Sequence, residues 1–337
     1  MEIDMASECW MKTLTRGQRV SAGKLVEPLE RFERLREFAL DISSTLEYGG
    51  LNQQSHSTNE EEMMMKQILR SIVVMLALFA GQAWAQSGKV EVLWLGQSAI
   101  KLTTSGGKVI VIDPYLIKNP KTPDQYKNLD ALGKVDLILV THAHSDHLGD
   151  APELAKKHNA PLWAPQGLAA SLASLGLVPQ ELSNRMAQGG NIMPFGPNSV
   201  KITMVHAEHN SELVWNNPAT GKNEIHFGGE PCGFIIQLEN GFKIYHMGDT
   251  GLFGDMKMIG EYYKPDLVLI PIGGGQFVMN PADAAYATRN FLKPKYALPF
   301  HYATNPFLTG TPQEYMKALG KSSTKVFPIN PGEKLEF

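Results

Sequence analysis

Residues 142–147 read His-Ala-His-Ser-Asp-His, which places four groups able to bind a metal ion, His142, His144, Asp146 and His147, within six positions. Imidazole nitrogen and carboxylate oxygen both bind Zn²⁺ and similar first-row cations, and a turn lets close residues converge on one ion. In an extended segment residues two apart share a face, so His142 and His144 can grip one cation. If the chain then turns, Asp146 and His147 point elsewhere and can grip a second. The competing account is a solvated His-rich loop with incidental metal affinity. The apolar run 135–141 in front and the Gly149-Asp150 turn behind favour a built site at a strand end.

Such a site needs rigid elements to hold it. Short apolar runs at 90–95, 109–112, 137–140, 200–205, 234–238, 242–246, 267–272 and 296–300 read as strands, several of them apolar on both faces, as in buried sheets. Glu239-Asn-Gly-Phe242 and Ser105-Gly-Gly107 supply hairpin turns. Helical patterns follow at 151–158, 166–175, 251–262, 281–292 and 312–319, with Pro281 and Pro312 suited to first-turn positions. Strands early and helices interspersed along a long chain predict a layered α/β or α+β domain.

The motif and its surroundings carry a resemblance. Thr141-His-Ala-His-Ser-Asp-His-Leu-Gly149 resembles the HxHxDH signature of the metallo-β-lactamase superfamily. Leu93-Trp-Leu-Gly-Gln-Ser-Ala99, Val109-Ile-Val-Ile-Asp-Pro114, Gly228-Gly-Glu-Pro-Cys-Gly-Phe234, Ile244-Tyr-His-Met-Gly-Asp-Thr250 and Pro299-Phe-His-Tyr302 follow the order of its UPF0173 and ascorbate-6-phosphate-lactonase-like branch of metal-dependent hydrolases. The resemblance covers about residues 89–337. It implies a four-layer αββα sandwich with a dinuclear site at one sheet edge. Carried over position by position, it implies that His142, His144 and His209 hold the first ion, that Asp146, His147 and His301 hold the second, and that Asp249 bridges them. Three residues upstream of His209, His206 is the rival position; His246 falls near the site but off the metal. Asp113, ending an apolar run, is expected to support a ligand histidine or to cap its own Asp-Pro-Tyr turn.

The implied chemistry is metal-assisted hydrolysis. A hydroxide bridging two divalent ions attacks an ester, lactone, amide or phosphodiester, with Asp146 or Asp249 orienting it and accepting its proton. Zn²⁺ is the first expectation, with Mn²⁺ and Fe²⁺ as alternatives for the same His/Asp donors. An Asp at 249 matches the lactonase, thioesterase and phosphodiesterase branches rather than true β-lactamases, and His144 stands where di-iron redox relatives carry Glu. Gln97 departs from the family, many of whose members carry His there. Phe277, Tyr302, Asn305 and the 273–275 glycine loop are expected to line the pocket. Two other readings stay open: an enzyme like those that cleave N-acyl phospholipids, and a metal-binding or sensing protein that uses the fold without turnover.

The first quarter of the chain differs in kind. Lys66 and Arg70, the apolar run 72–80 and Ala83-Trp-Ala85 form the three parts of a secretory signal peptide, spanning 65–85. The run is too short for a bilayer span, which needs about 20 residues. Residues 1–64 are read as a misassigned start or a disordered extension, with translation beginning at Met63, Met64 or Met65, and residues 86–337 as the hydrolase domain. A signal anchor preceded by a genuine leader is the rival. Export implies a periplasmic or secreted enzyme acting on a small-molecule substrate, with no membrane span after cleavage. Residues 86–337 carry 22 basic and 22 acidic side chains, so no basic stripe invites nucleic acid. Cys9 lies upstream, which leaves Cys232 without an intrachain partner in the mature chain.

Overall fold

The structure, a computed structural model, describes residues 88–337 together with Ile68, so the expectations for 1–64 and for the 65–85 signal segment lie outside the described residues. The first half of the chain builds one sheet. Strands β1 (Glu91–Gly96), β2 (Ala99–Thr103) and β3 (Val109–Ile112) form an antiparallel meander. They are extended in parallel by β4 (Leu137–Leu139), β5 (Leu162–Pro165) and β6 (Ser183–Met186). The second half starts with β7 (Asn191–Ile192) and β8 (Lys201–His206), then the separate hairpin β9 (Glu212–Asn217) and β10 (Lys222–Phe227). Strands β11 (Cys232–Gln237), β12 (Lys243–His246), β13 (Leu267–Pro271), β14 (Tyr296–Phe300) and β15 (Lys325–Val326) complete the second sheet, and β16 (Lys334–Glu336) returns to the first. The two seven-stranded sheets run in the orders β16-β1-β2-β3-β4-β5-β6 and β15-β14-β13-β12-β11-β8-β7.

Strand periodicity explains why the sheets stack. Along β1, Val92 and Trp94 enter the core between the sheets, while Leu93 and Leu95 face the other way and join Leu154, Leu168 and Leu172 of the helices Ala151–His158 and Gln166–Ser174. The second sheet divides likewise. Phe234 and Leu269 meet the first sheet, whereas Ile235, Val268 and Ile270 pack under Met256, Ile259, Ala284 and Tyr315 of its own helices. Both faces of both sheets are therefore dry. Burying each large side chain contributes about 1.5–3 kcal/mol, which suits a fold whose lone described cysteine, Cys232, is free. The layers run helix, sheet, sheet, helix, the expected αββα sandwich.

The differences from the periodicity lie where apolar contrast is weak. Edge strand β6, Ser-Asn-Arg-Met, carries no apolar run, and the β9–β10 hairpin stands apart from both sheets with most of its residues exposed or half-buried. The helix expected over 251–262 begins only at Met256, and that over 281–292 is α-helical at Pro281–Tyr286, where Asn280 caps the N–H groups of Ala282 and Asp283, then π-helical at Ala287–Leu292. Among the described residues no helix is long and apolar enough to cross a membrane.

Candidate metal centre

The potential ligands leave the sheets at strand ends. Beyond β4 the chain reaches His142, and His144 begins the short helix Ser145–Leu148 that presents Asp146 and His147. Loops after β8 and β12 deliver His209 and Asp249, and His301 directly follows β14. The turn into Asp249 depends on Gly248, whose φ is +62° and where a Cβ would lie 2.9 Å from the Cys232 carbonyl oxygen. Gln97, Asp113 and His301, at the ends of β1, β3 and β14, all have positive φ, of 50°, 46° and 54°. Left-handed backbone costs a non-glycine residue about 1–3 kcal/mol, and such strain concentrates at functional sites.

All seven residues expected as ligands come together, in two adjacent groups. His142, His144 and His209 form the first, and Asp146, His147, Asp249 and His301 the second. In the first, His144 Nδ1 lies 3.0 Å from His142 Nε2 and 3.3 Å from His209 Nε2. In the second, Asp249 Oδ1 lies 3.2 Å from His147 Nε2 and 2.9 Å from His301 Nε2, and Asp146 Oδ2 is 3.6 Å from His301 Nε2. The other oxygen of Asp249 turns toward the first group, 3.7 Å from His209 Nε2.

Surrounding groups set which nitrogen of each ring faces inward. Asp113 Oδ2 accepts from His147 Nδ1 at 2.8 Å, which leaves His147 Nε2 bare toward the cluster. Thr141 Oγ1 lies 2.7 Å from the same carboxylate and 3.0 Å from His142 Nδ1, so it turns His142 Nε2 inward in the same way. Glu212 on β9 meets His144 Nε2 at 3.3 Å, leaving Nδ1 for the first group. Asp113 thus takes the expected role beside a motif histidine; its carboxylate bonds Thr141 and His147, while the Asp-Pro-Tyr turn is closed by the backbone, Tyr115 N–H to the Asp113 carbonyl. His206 points instead to Gln188 and Glu208, and His246 donates to the Ser98 carbonyl; both stay out of the groups.

The electrostatics of the two groups differ. Burial pushes His142 well below its usual pKa, with the His147 charge adding to it, and burial brings His209 down to about 4. Both of these rings favour the neutral form, ready to donate lone pairs. In the second group, burial opposes charge on every member, yet the charges of His147 and His301 hold Asp249 well below the usual carboxylate range. Asp249 in turn raises both histidines.

A cleft of about 520 Å³ opens beside these groups, lined by residues that include Tyr115, Lys118, His144, Asp146, Glu212 and Val214. Phe277, Tyr302, Asn305 and the 273–275 loop are not among the residues lining this cleft; Tyr302, next to His301, packs on Trp94, and Phe277 pairs with Phe307. The sequence alone does not mark Thr141 or Glu212 as functional. A hydroxyl next to the first motif histidine was the available signal for Thr141; Glu212 offered none.

The beta-lactamase superfamily domain family matches residues 108–302. The chain is 61% identical over 251 residues to a UPF0173 metal-dependent hydrolase of Cupriavidus metallidurans, covering 74% of this chain and 86% of that one. To a UPF0173 metal-dependent hydrolase of Polaromonas it is 59% identical over 276 residues, covering 81% and 100%. The solved structure of Igni18, a novel metallo hydrolase from the hyperthermophilic archaeon Ignicoccus hospitalis, superposes with a TM-score of 0.61 at 32% identity over 74% of this chain and 99% of that one. Fold and matches together define a metal-dependent hydrolase with the metallo-β-lactamase fold. The chain belongs to the UPF0173 metal-dependent hydrolases of the beta-lactamase superfamily.

Proposed function

We propose that the chain is an exported hydrolase that uses two divalent cations, Zn²⁺ first and Mn²⁺ or Fe²⁺ as alternatives, on an ester, lactone, amide or phosphodiester. The observation that carries this reading is Asp249, whose carboxylate directs one oxygen to each group of donors. The donors fit cations. His147 Nε2 and Asp249 Oδ1 are buried without a hydrogen-bond partner although 3.2 Å apart, as atoms aimed at a shared point would be. His142, His144 and His209 would hold one ion, and Asp146, His147 and His301 the other, with Asp249 reaching both.

Bound there, the cations supply an activated water and Lewis acidity for the oxygen that gains charge. The chain's own residues do the rest. Asp146 is the exposed member of the second group, its side chain 32% accessible against 4% or less for its partners. It can take the proton of an attacking water at the cleft and pass it to solvent. Asp249, buried and fixed, orients that water. Glu212 keeps the His144 ring in place at the rim, and the cleft admits a small-molecule substrate.

The test is metal analysis of the purified protein together with a panel of p-nitrophenyl esters, lactones, amides and phosphodiesters. We expect two ions per chain and turnover of one class, with both lost together in His142→Ala and Asp249→Ala. Two ions with no hydrolysis across the panel would favour a metal-binding protein, and full activity in either variant overturns the assignment. For the export reading, N-terminal sequencing of the mature protein should begin at Gln86; a start near Met1 rejects it.

One observation favours an amphiphilic substrate within this class. Val214, Ile225 and Phe227 share one face of the β9–β10 hairpin and are 59%, 74% and 67% exposed. Val214 also lines the cleft, so an acyl chain could lie along the hairpin while its polar bond sits at the metal groups.

A further inference from the structure

Gln97 occupies the two-residue turn between β1 and β2, 1% exposed and with a φ of +50°. Two-residue hairpin turns favour Asn, Asp or Gly where φ is positive, so turn chemistry does not explain a buried glutamine. Its backbone is tied on both sides, since the Gln97 carbonyl accepts from Trp94 Nε1 at 3.0 Å and from the His301 N–H at 3.1 Å. The side chain ends inside the second group of donors. Nε2 lies 2.7 Å from Asp146 Oδ2 and 2.8 Å from His301 Nε2, while Oε1 is buried with no partner.

This placement is paradoxical if the amide nitrogen faces inward in the working protein. A cation between Asp146 and His301 needs the lone pair of His301 Nε2, and an N–H beside that atom competes for it. A half-turn of the amide exchanges nitrogen and oxygen without changing its shape, and the choice between them follows the neighbouring charges. With a cation bound, oxygen is the atom that belongs there, and Gln side-chain carbonyls are established donors to hard cations.

We propose that Gln97 is a further ligand of the second cation, its Oε1 joining Asp146, His147, Asp249 and His301. The inference rests on reading those four residues as a cation site. It makes the two sites chemically unequal. The first has three imidazoles and one oxygen of Asp249, whereas the second adds a carbonyl to Asp146 and the other Asp249 oxygen and shifts toward harder, oxygen-seeking ions such as Mn²⁺.

The test uses the full chain, stripped with a chelator and titrated with Zn²⁺ or Mn²⁺. Metal content is read by mass spectrometry and affinity by chelator competition, for the natural protein, Gln97→Met and Gln97→Glu. Methionine keeps the length and removes both amide groups. We expect it to weaken one of the two ions about 10- to 100-fold, more for Mn²⁺ than for Zn²⁺, and to leave the other unchanged. Glutamate, which keeps an oxygen, should hold both ions. In the natural protein labelled with ¹³C-glutamine, the Gln97 side-chain carbonyl signal should move when Zn²⁺ is added, which decides the matter even if a variant fails to fold. Two bound ions with that signal unmoved, or Gln97→Met with natural affinities for both ions, overturns the ligand role alone. A natural protein that binds no ion overturns this proposal and the two-cation reading together.

Discussion

Replacing Thr141 by valine tests how the centre orients its histidines. The hydroxyl is 2.7 Å from Asp113 Oδ2 and 3.0 Å from His142 Nδ1, and the Thr141 N–H donates to Asp113 Oδ1 at 2.8 Å, all in the buried interior. A hydroxyl has a single hydrogen. Given to the carboxylate, it leaves the oxygen lone pair to accept His142 Nδ1–H, which turns Nε2 toward His144 and His209. Valine keeps the shape and removes the device. Asp113 then loses one charge-assisted hydrogen bond, worth about 1.5–3 kcal/mol, but keeps the bonds from the Thr141 backbone and from His147. The lower half of that range is therefore expected for the chelator-stripped protein in urea unfolding. His142 is also freed to present the wrong nitrogen, so affinity for one ion should fall about 10- to 100-fold, while the other, served by His147 through Asp113, changes little. Thr141→Ser restores the hydroxyl and should recover most of both effects. Chelator competition against urea melts separates the two readouts. Natural metal affinity in Thr141→Val, or a serine variant no better than valine, refutes the orienting role.

Two further expectations follow from the same site. In the stripped protein burial brings His209 down to about 4, so the folded state prefers the neutral ring. Its share of stability is complete above the ordinary histidine value of about 6.5 and is lost as pH falls through the folded value. A proton NMR titration should place its midpoint well below that of an exposed histidine, and a midpoint at or above about 6.5 would contradict the burial account. On the hairpin, Val214→Asp and Ile225→Asp should raise KM at least several-fold for long-chain acyl substrates and leave short-chain turnover unchanged. An equal effect on both chain lengths points to damage at the metal groups and removes the case for an apolar substrate face.

How much of this centre could be read in advance depends on where each contact lies along the chain. His142, His144, Asp146 and His147 are legible because they fall within six positions, on the segment that leaves β4 and enters the short helix Ser145–Leu148, and no long-range folding is needed to make them neighbours. The buried strands are legible for a related reason: β1 and β11 bury both faces and therefore read as continuous apolar runs. His209, Asp249 and His301 could be placed at strand ends by pattern, but their grouping came from resemblance, because it depends on how separate strands align at one edge. Beyond that point local sequence carries little. The β9–β10 hairpin has no buried stripe to mark it, yet it supplies Glu212 to His144.

Gln97 shows the limit most sharply. It meets His301 across 204 positions of sequence, and both residues adopt a positive φ that is uncommon outside glycine. The hydrogen bond from the His301 N–H to the Gln97 carbonyl joins the two strained turns, one from each sheet. Each turn is held in its conformation by a partner that exists only once the sheets have stacked. The strain is thus a property of the assembled edge. A residue there can be recognised from the sequence as a departure from its family, but what its side chain does is decided by the opposite sheet.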